Sequence, residues 1–245
     1  MINFPVAYLN SNDGSGLLAF GEGPRLIPEA GKNLEKLDQF VKEHSKSHIF
    51  GYLSYDLKNE IEDLTSKNTD NKGFPELFFW VPKYVVKLTG ENFDFLQGPK
   101  CGESFDFLNY FLEEETDQNF HPYHLNFQPT TSKEKYIENV NLLKENLQKG
   151  EAYEVNYCQE FVVKDVDVNF SLDAYFKLNH ITLAPFSSFF QFDDFAIYCG
   201  SPERFLSKKG EVLSSEPIKG TAPRLKDKVK DDLLKEALLK DPKER

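Results

Sequence analysis

Ser201-Pro202-Glu203-Arg204-Phe205-Leu206-Ser207-Lys208-Lys209-Gly210-Glu211-Val212-Leu213-Ser214-Ser215-Glu216-Pro217-Ile218-Lys219-Gly220-Thr221 organises the reading of this chain. Residues 204–207 and 211–213 read as strands around the turn Lys208-Lys209-Gly210. An antiparallel hairpin brings its outer ends together. Glu203 and Lys219 are therefore expected to approach one cavity despite their separation in sequence. Pro202 fixes the backbone just ahead of the Glu203 carboxylate, and a rigidly aimed carboxyl suits general acid or base work. Gly220 lets a ligand come close to the backbone, and Thr221 adds a hydroxyl and an N–H. A lysine desolvated in such a pocket loses its proton and becomes a nucleophile. The same residues also fit a plainer reading. Lys219 would then be a surface lysine titrating near about 10.4, and Glu203 an exposed loop carboxylate or a partner for Arg204.

Downstream, residues 226–239 form an amphipathic helical pattern with Val229, Leu233, Leu234, Ala237 and Leu238 expected to face inward. Asp241-Pro242-Lys243-Glu244 then carries an N-cap, a first-turn proline and an acidic third position, the opening of another helix. A single turn is unstable alone, so the chain reads as the front part of a longer protein. Upstream, 189–192 and 196–199 read as a strand pair turning at Asp193-Asp194. Thr131 and Glu134 fit a capping box, followed by Tyr136, Ile137, Val140, Leu143 and Leu147 at helical spacing, with Gly150 as the stop. Residues 152–163 alternate as a strand, with Tyr153, Val155, Tyr157 and Phe161 on the core face and Glu154, Asn156, Cys158 and Glu160 opposite.

In the first half, 6–9 and 49–53 read as strands and 34–41 as a helix. Residues 77–81 and 84–88 read as paired strands joined near Pro82, and 64–73 as a loop. The segmentation expected from these patterns is 1–120, a linker at 121–131 with prolines at 122 and 129, and 132–245. The fold class is α+β, with antiparallel sheets and helices around a central cleft, incomplete at the C-terminus.

The 245 residues carry 29 basic and 40 acidic side chains, a net charge of −11. That balance argues against nucleic acid as a partner. Cys101, Cys158 and Cys199 are widely spaced, which disfavours a zinc site. Their odd number, with no secretory signal, points to a reducing cytoplasm. No apolar run approaches the roughly 20 residues of a membrane span.

Four co-linear stretches resemble the chorismate-utilising enzymes of the component I type. They are Gly150 to Phe161 (GEAYEVNYCQEF), Ser201 to Leu206 (SPERFL), Pro217 to Arg224 (PIKGTAPR) and Asp241 to Arg245 (DPKER). Phe50-Gly51-Tyr52-Leu53-Ser54-Tyr55-Asp56-Leu57 is similar to the N-terminal signature of that family. The resemblance implies an anthranilate synthase component I-like fold. It also implies chorismate as substrate, and ammonia supplied by a separate glutamine amidotransferase subunit. Lysine at 219 matches the aminodeoxychorismate synthase branch, which serves para-aminobenzoate and folate synthesis; the anthranilate synthase branch carries alanine there. By resemblance, Lys219 is the nucleophile, Glu203 the general acid, and Gly220 and Thr221 bind a substrate carboxylate. Mg2+ is implied, with Glu244 as one acidic position and further ligands beyond Arg245. The 245 residues alone are then expected to be inactive. Glu154 departs from the glutamine of the aminating enzymes and from the lysine of the water-using branch. Leu9-Asn10-Ser11 resembles the start of a pocket in which some relatives hold tryptophan, and equally fits a plain strand-to-turn transition. Two rival readings remain open: an anthranilate synthase component I, and a non-catalytic amino-acid-binding or subunit-docking module.

Overall fold

The structure, a computed structural model, describes residues 2–65, 68–116, 125–164, 172–218 and 220–242. Its elements run β1 (Val6–Asn10), β2 (Ser15–Phe20), α1 (Asn33–Glu43), β3 (Phe50–Leu53), a short 3-10 helix (Tyr55–Glu60), β4 (Leu77–Trp80), β5 (Tyr84–Thr89), β6 (Asn92–Gln97) and α2 (Gly102–Thr116). They continue with β7 (Gln128–Pro129), α3 (Lys133–Lys149), β8 (Phe161–Val162), α4 (Leu172–Thr182), β9 (Phe186–Phe192), β10 (Phe195–Ser201), β11 (Arg204–Lys209), β12 (Val212–Glu216) and α5 (Lys228–Lys240). Two compact units result: residues 1–116 with 171–245, and residues 117–170.

In the first unit, six antiparallel strands lie in the order β10-β9-β1-β2-β5-β6. β1 pairs on one side with β2 (Val6 opposite Phe20) and on the other with β9 (Val6 opposite Gln191). Strands from both sides of the 121–131 segment thus share one sheet, so the division of the chain at that segment does not coincide with the compact units.

Alternation along the strands buries both faces of this sheet. Val6, Tyr8, Leu18, Phe20, Tyr84, Val86 and Phe189 point to one face, where Leu108 and Phe111 of α2 and Leu172, Tyr175 and Phe176 of α4 cover them. Ala7, Ala19, Val85, Phe190 and Phe192 point to the other and meet Phe50, Phe78 and Trp80 of β3 and β4. Trp80 is fully buried, and its indole N–H donates to the Gly21 carbonyl at 3.2 Å, which satisfies its polar atom. Leu26, Phe40, Leu57, Leu77 and Val81 form a third cluster that docks α1 and the 3-10 helix.

Several expected elements stand, with shifts. Strands at 6–9, 49–53 and 77–81, the helix at 34–41, and the 189–192/196–199 pair are all found. β4 and β5, however, do not pair with each other. β4 pairs with β3, and β5 lies between β2 and β6. The Val81-Pro82-Lys83 step carries the chain from one sheet to the other, with the Val81 N–H donating to Pro24 instead of a β5 partner. Helix α3 is capped by Ser132, not Thr131: its Oγ accepts the Lys135 N–H at 3.2 Å. Gly150 closes α3 in the left-handed conformation at φ 77°, where a side chain would be strained.

The second unit corrects the reading of 152–163. Only Phe161–Val162 is strand, paired with Gln128–Pro129. Tyr153 is 97 % exposed, and Val155 and Phe161 are exposed as well. Tyr157 instead lies along α3, its ring 5.2 Å from that of Tyr136 and its hydroxyl accepting from Asn139 at 2.7 Å. In α5, Val229 and Leu233 are exposed rather than inward, and the helix has no buried residue. Asp241 is the C-cap of α5, in extended conformation. The remainder of the helix expected to open at Asp241, from Lys243 onward, lies outside the described residues. Residues 121–124 of the expected linker, the preceding 117–120, and 66–67 of the expected loop at 64–73 also lie outside them.

Candidate active site

The hairpin expected from sequence is present, with its turn one residue later. β11 and β12 pair from Lys209 opposite Val212 at the tip to Arg204 opposite Glu216 at the root. Lys208 and Lys209 are strand residues, and Gly210 takes the turn at φ 60°. Glu203 therefore precedes the root on one strand, and Pro217, Ile218, Gly220 and Thr221 follow it on the other. Lys219 lies outside the described residues, as does Glu244.

Glu203 occupies the two-residue link between β10 and β11, where its side chain is exposed. Ser201 pins the link from both sides. Its hydroxyl donates to the Glu203 carbonyl at 3.1 Å and accepts the Glu203 N–H at 3.3 Å. Arg204 does not pair with its neighbour Glu203; its ionic partner is Glu216, with Nε 3.6 Å from Oε1. Gly220 is half-buried and Thr221 exposed. Beyond them, Arg224 grips Asp231 on α5, with Nη2 2.9 Å from Oδ2. The Leu225 N–H adds a 2.8 Å bond to the same carboxylate. Arg224 holds the Asp231 carboxyl below its usual range. The segment after Thr221 is thereby tied to the first turn of α5.

Glu154 and Cys158 are exposed in the other unit. Asn10 is buried at the end of β1. Its carboxamide oxygen accepts the Asn12 N–H at 2.8 Å and its NH2 donates to Asn12 Oδ1 at 3.3 Å, so its polar atoms meet partners within the loop. A cavity of about 760 Å³ opens between α2 and the start of β1, lined by Phe4, Phe20, Glu103, Asp106, Phe107 and Tyr110 among others. It includes none of the candidate residues. The described residues contain no group of three or more His, Cys, Asp or Glu side chains placed to hold a metal ion. They do not by themselves fit Mg2+. Among the described residues no helix is long and apolar enough to cross a membrane.

Sequence reasoning passed over two residues at this site: Arg204 as a bridge, and Glu216 as its partner. Their opposite charges on the two arms of the expected hairpin were the available signal.

Residues 8–245 match the chorismate binding enzyme family, and the chain belongs to it. Among its relatives, an anthranilate synthase component I-like protein of Synechocystis is 27 % identical over 212 residues, 85 % of this chain and 44 % of that protein. Aminodeoxychorismate synthase component 1 of Bacillus subtilis is 24 % identical, covering 98 % of this chain and 55 % of its own length. The Klebsiella aerogenes protein of the same name is 36 % identical over 114 residues, 46 % of this chain and 25 % of that one. Anthranilate synthase component I of Streptococcus pneumoniae superposes with a TM-score of 0.65 at 20 % identity, covering 98 % of this chain and 55 % of that one. The menaquinone-specific isochorismate synthase of Escherichia coli superposes with a TM-score of 0.59 at 16 % identity, covering 100 % of this chain and 55 % of that one. The chain spans about half the length of the curated relatives it matches.

Proposed function

We propose that this chain supplies the nucleophile and the general acid of an aminodeoxychorismate synthase component I. The observation that supports the reading is the hairpin register, Arg204 opposite Glu216, with Glu203 just before that pair and Pro217 and Ile218 just after it. Lys219 Nζ, uncharged, attacks chorismate at C2. Both ring double bonds shift, and the C4 hydroxyl leaves as water after taking a proton from Glu203. Ammonia then adds at C4, both double bonds shift back, and the Lys219 amine departs from C2. The products are 4-amino-4-deoxychorismate, water and the regenerated lysine. The Gly220 N–H, with the N–H and hydroxyl of Thr221, suits a substrate carboxylate. Ammonia comes from a glutamine amidotransferase subunit. Mg2+ is assigned to acidic residues outside the described set, Glu244 among them.

Product analysis tests this in a polypeptide that carries these residues together with the part of the relatives this chain does not match. With chorismate and ammonia, 4-amino-4-deoxychorismate is expected. Anthranilate plus pyruvate would replace the reading by the anthranilate synthase one, which names such as that of the Synechocystis relative support. Calorimetry with tryptophan addresses the non-catalytic alternative, for which tight binding without turnover would speak.

A further inference from the structure

The link that carries Glu203 is exposed, so something other than burial must fix it. The Arg204 guanidinium carbon lies 4.7 Å from the ring centroid of Phe186, the first residue of β9. Its Nε faces Glu216, the last residue of β12, at 3.6 Å. That Nε is buried and makes no hydrogen bond, so the contact with Glu216 is one of charge. One planar cation thus joins the start of β9 in the six-stranded sheet, through Phe186, to the exit of the hairpin, through Glu216.

Other features at the root favour the same geometry. The register shifts between Arg204 and Ser207, leaving an extra residue on β11. Such a bulge bends a strand and re-aims its side chains. Ser215 Oγ donates across it to the Phe205 carbonyl at 2.8 Å. Phe205 itself is 87 % exposed and Leu206 is also exposed, so apolar burial of these residues does not anchor the hairpin.

We infer that Arg204 is a positioning residue. It sets the separation between Glu203 and the backbone at Ile218 and Gly220 by clamping Phe186 and Glu216 at once. The inference rests on the reading of Glu203 as the general acid. Lysine cannot substitute fully, because a compact ammonium lacks the planar face that stacks on Phe186 while addressing a carboxylate at its edge.

Amide hydrogen exchange on the 245-residue chain tests the clamp without needing turnover. In Arg204→Gln, the amides of Glu203, Ser215, Glu216 and Ile218 are expected to exchange about five- to tenfold faster, the combined effect of a cation–π contact and a half-exposed ion pair. Amides of β1, β2 and β9 keep their rates, and Arg204→Lys falls between. Unchanged exchange at the root, or equal acceleration throughout the sheet, overturns the clamp. In the active polypeptide, Arg204→Gln should lower kcat about tenfold with the chorismate KM within about twofold, and Arg204→Lys should recover part of the loss. If wild-type protein aminates chorismate and kcat ignores Arg204→Gln, the positioning role fails and the functional reading stands. If wild-type protein makes no aminated product, the functional reading fails while the exchange result still decides the clamp.

Discussion

Asn33 donates its carboxamide N–H groups to two carboxylates at once, Glu60 Oε1 and Glu76 Oε2, each at 2.8 Å. Its own carbonyl accepts the Glu29 N–H at 3.0 Å, and Glu60 also accepts the backbone N–H groups of Gly31 and Asn33. Asn33 is 1 % exposed. It joins the start of α1, the 3-10 helix and the entry to β4. Asn33→Ala strips the hub of its donors and is expected to cost about 2–3 kcal/mol. Urea unfolding measures this, and a midpoint within error of wild type would show the hub to be dispensable.

Gly51 sits in β3 where a Cβ would lie 2.1 Å from the Phe78 carbonyl oxygen and 2.5 Å from the Phe79 ring. Gly51→Ala must therefore push β3 off β4, which carries Phe78 and Trp80 into the core. A loss of about 2–4 kcal/mol is expected, accompanied by a change in the fluorescence of Trp80. Wild-type stability and emission would contradict the close approach.

The extent to which this fold could be read in advance follows from what each pattern specifies. Alternation in 6–9 and 189–192 names strands because one face carries Val6, Tyr8 and Phe189, all buried. Alternation does not name a partner. The assignments of β4 beside β5, and of 152–163 as a strand, therefore fail for one reason: pairing is a long-range choice. The reading assigns nothing to 102–116 or 172–182. There Leu108, Phe111, Leu172, Tyr175 and Phe176 form the helical layer on the sheet, and the hydrophobic stripe is blurred by further aromatics such as Phe105 and Phe107. The site was legible as a hairpin from its turn residues, whereas the Arg204 clamp depends on Phe186, a residue of another hairpin.

Tyr8 donates to Glu115 Oε1 at 3.4 Å. Burial pushes the Glu115 carboxyl above its ordinary value of 4.5, against the lowering effect of the Tyr8 bond. Burial, and the charge of Glu115, also raise the Tyr8 phenol. A carboxyl raised on folding holds its proton more tightly in the folded state. Its contribution is complete below the unfolded value and is lost as pH rises through the folded one. Glu115→Gln should flatten that decline and raise stability at neutral pH by less than about 1 kcal/mol, since the residue is partly solvated. Urea midpoints across this pH range provide the check; parallel curves for the two proteins would remove Glu115 as the cause.

Phe189 and Phe205 offer a controlled contrast. Phe189 is 0 % exposed in the main sheet, and Phe205 is 87 % exposed on the hairpin. In the 245-residue chain, Phe189→Ala should cost about 3–5 kcal/mol and Phe205→Ala no more than about 0.5 kcal/mol. Thermal or urea unfolding of both variants distinguishes them, and comparable losses would mean that the hairpin is packed in solution.

Glu203 and Lys219 are proposed to act at different atoms, so their variants should fail differently. Lys219→Ala removes the nucleophile, and neither added ammonia nor pH should restore the covalent route. Glu203→Gln keeps the shape of the link, since Ser201 holds its backbone rather than its carboxylate, but removes the proton donor. Loss of a general acid typically costs about 10²- to 10⁴-fold in rate, and the acidic group should disappear from the kcat–pH profile of the active polypeptide. A Lys219-linked adduct should still form slowly in Glu203→Gln and be absent in Lys219→Ala. Mass spectrometry of protein quenched after mixing with chorismate reads that difference directly. An adduct that survives Lys219→Ala, or a Glu203→Gln profile identical to wild type, would reassign the corresponding role.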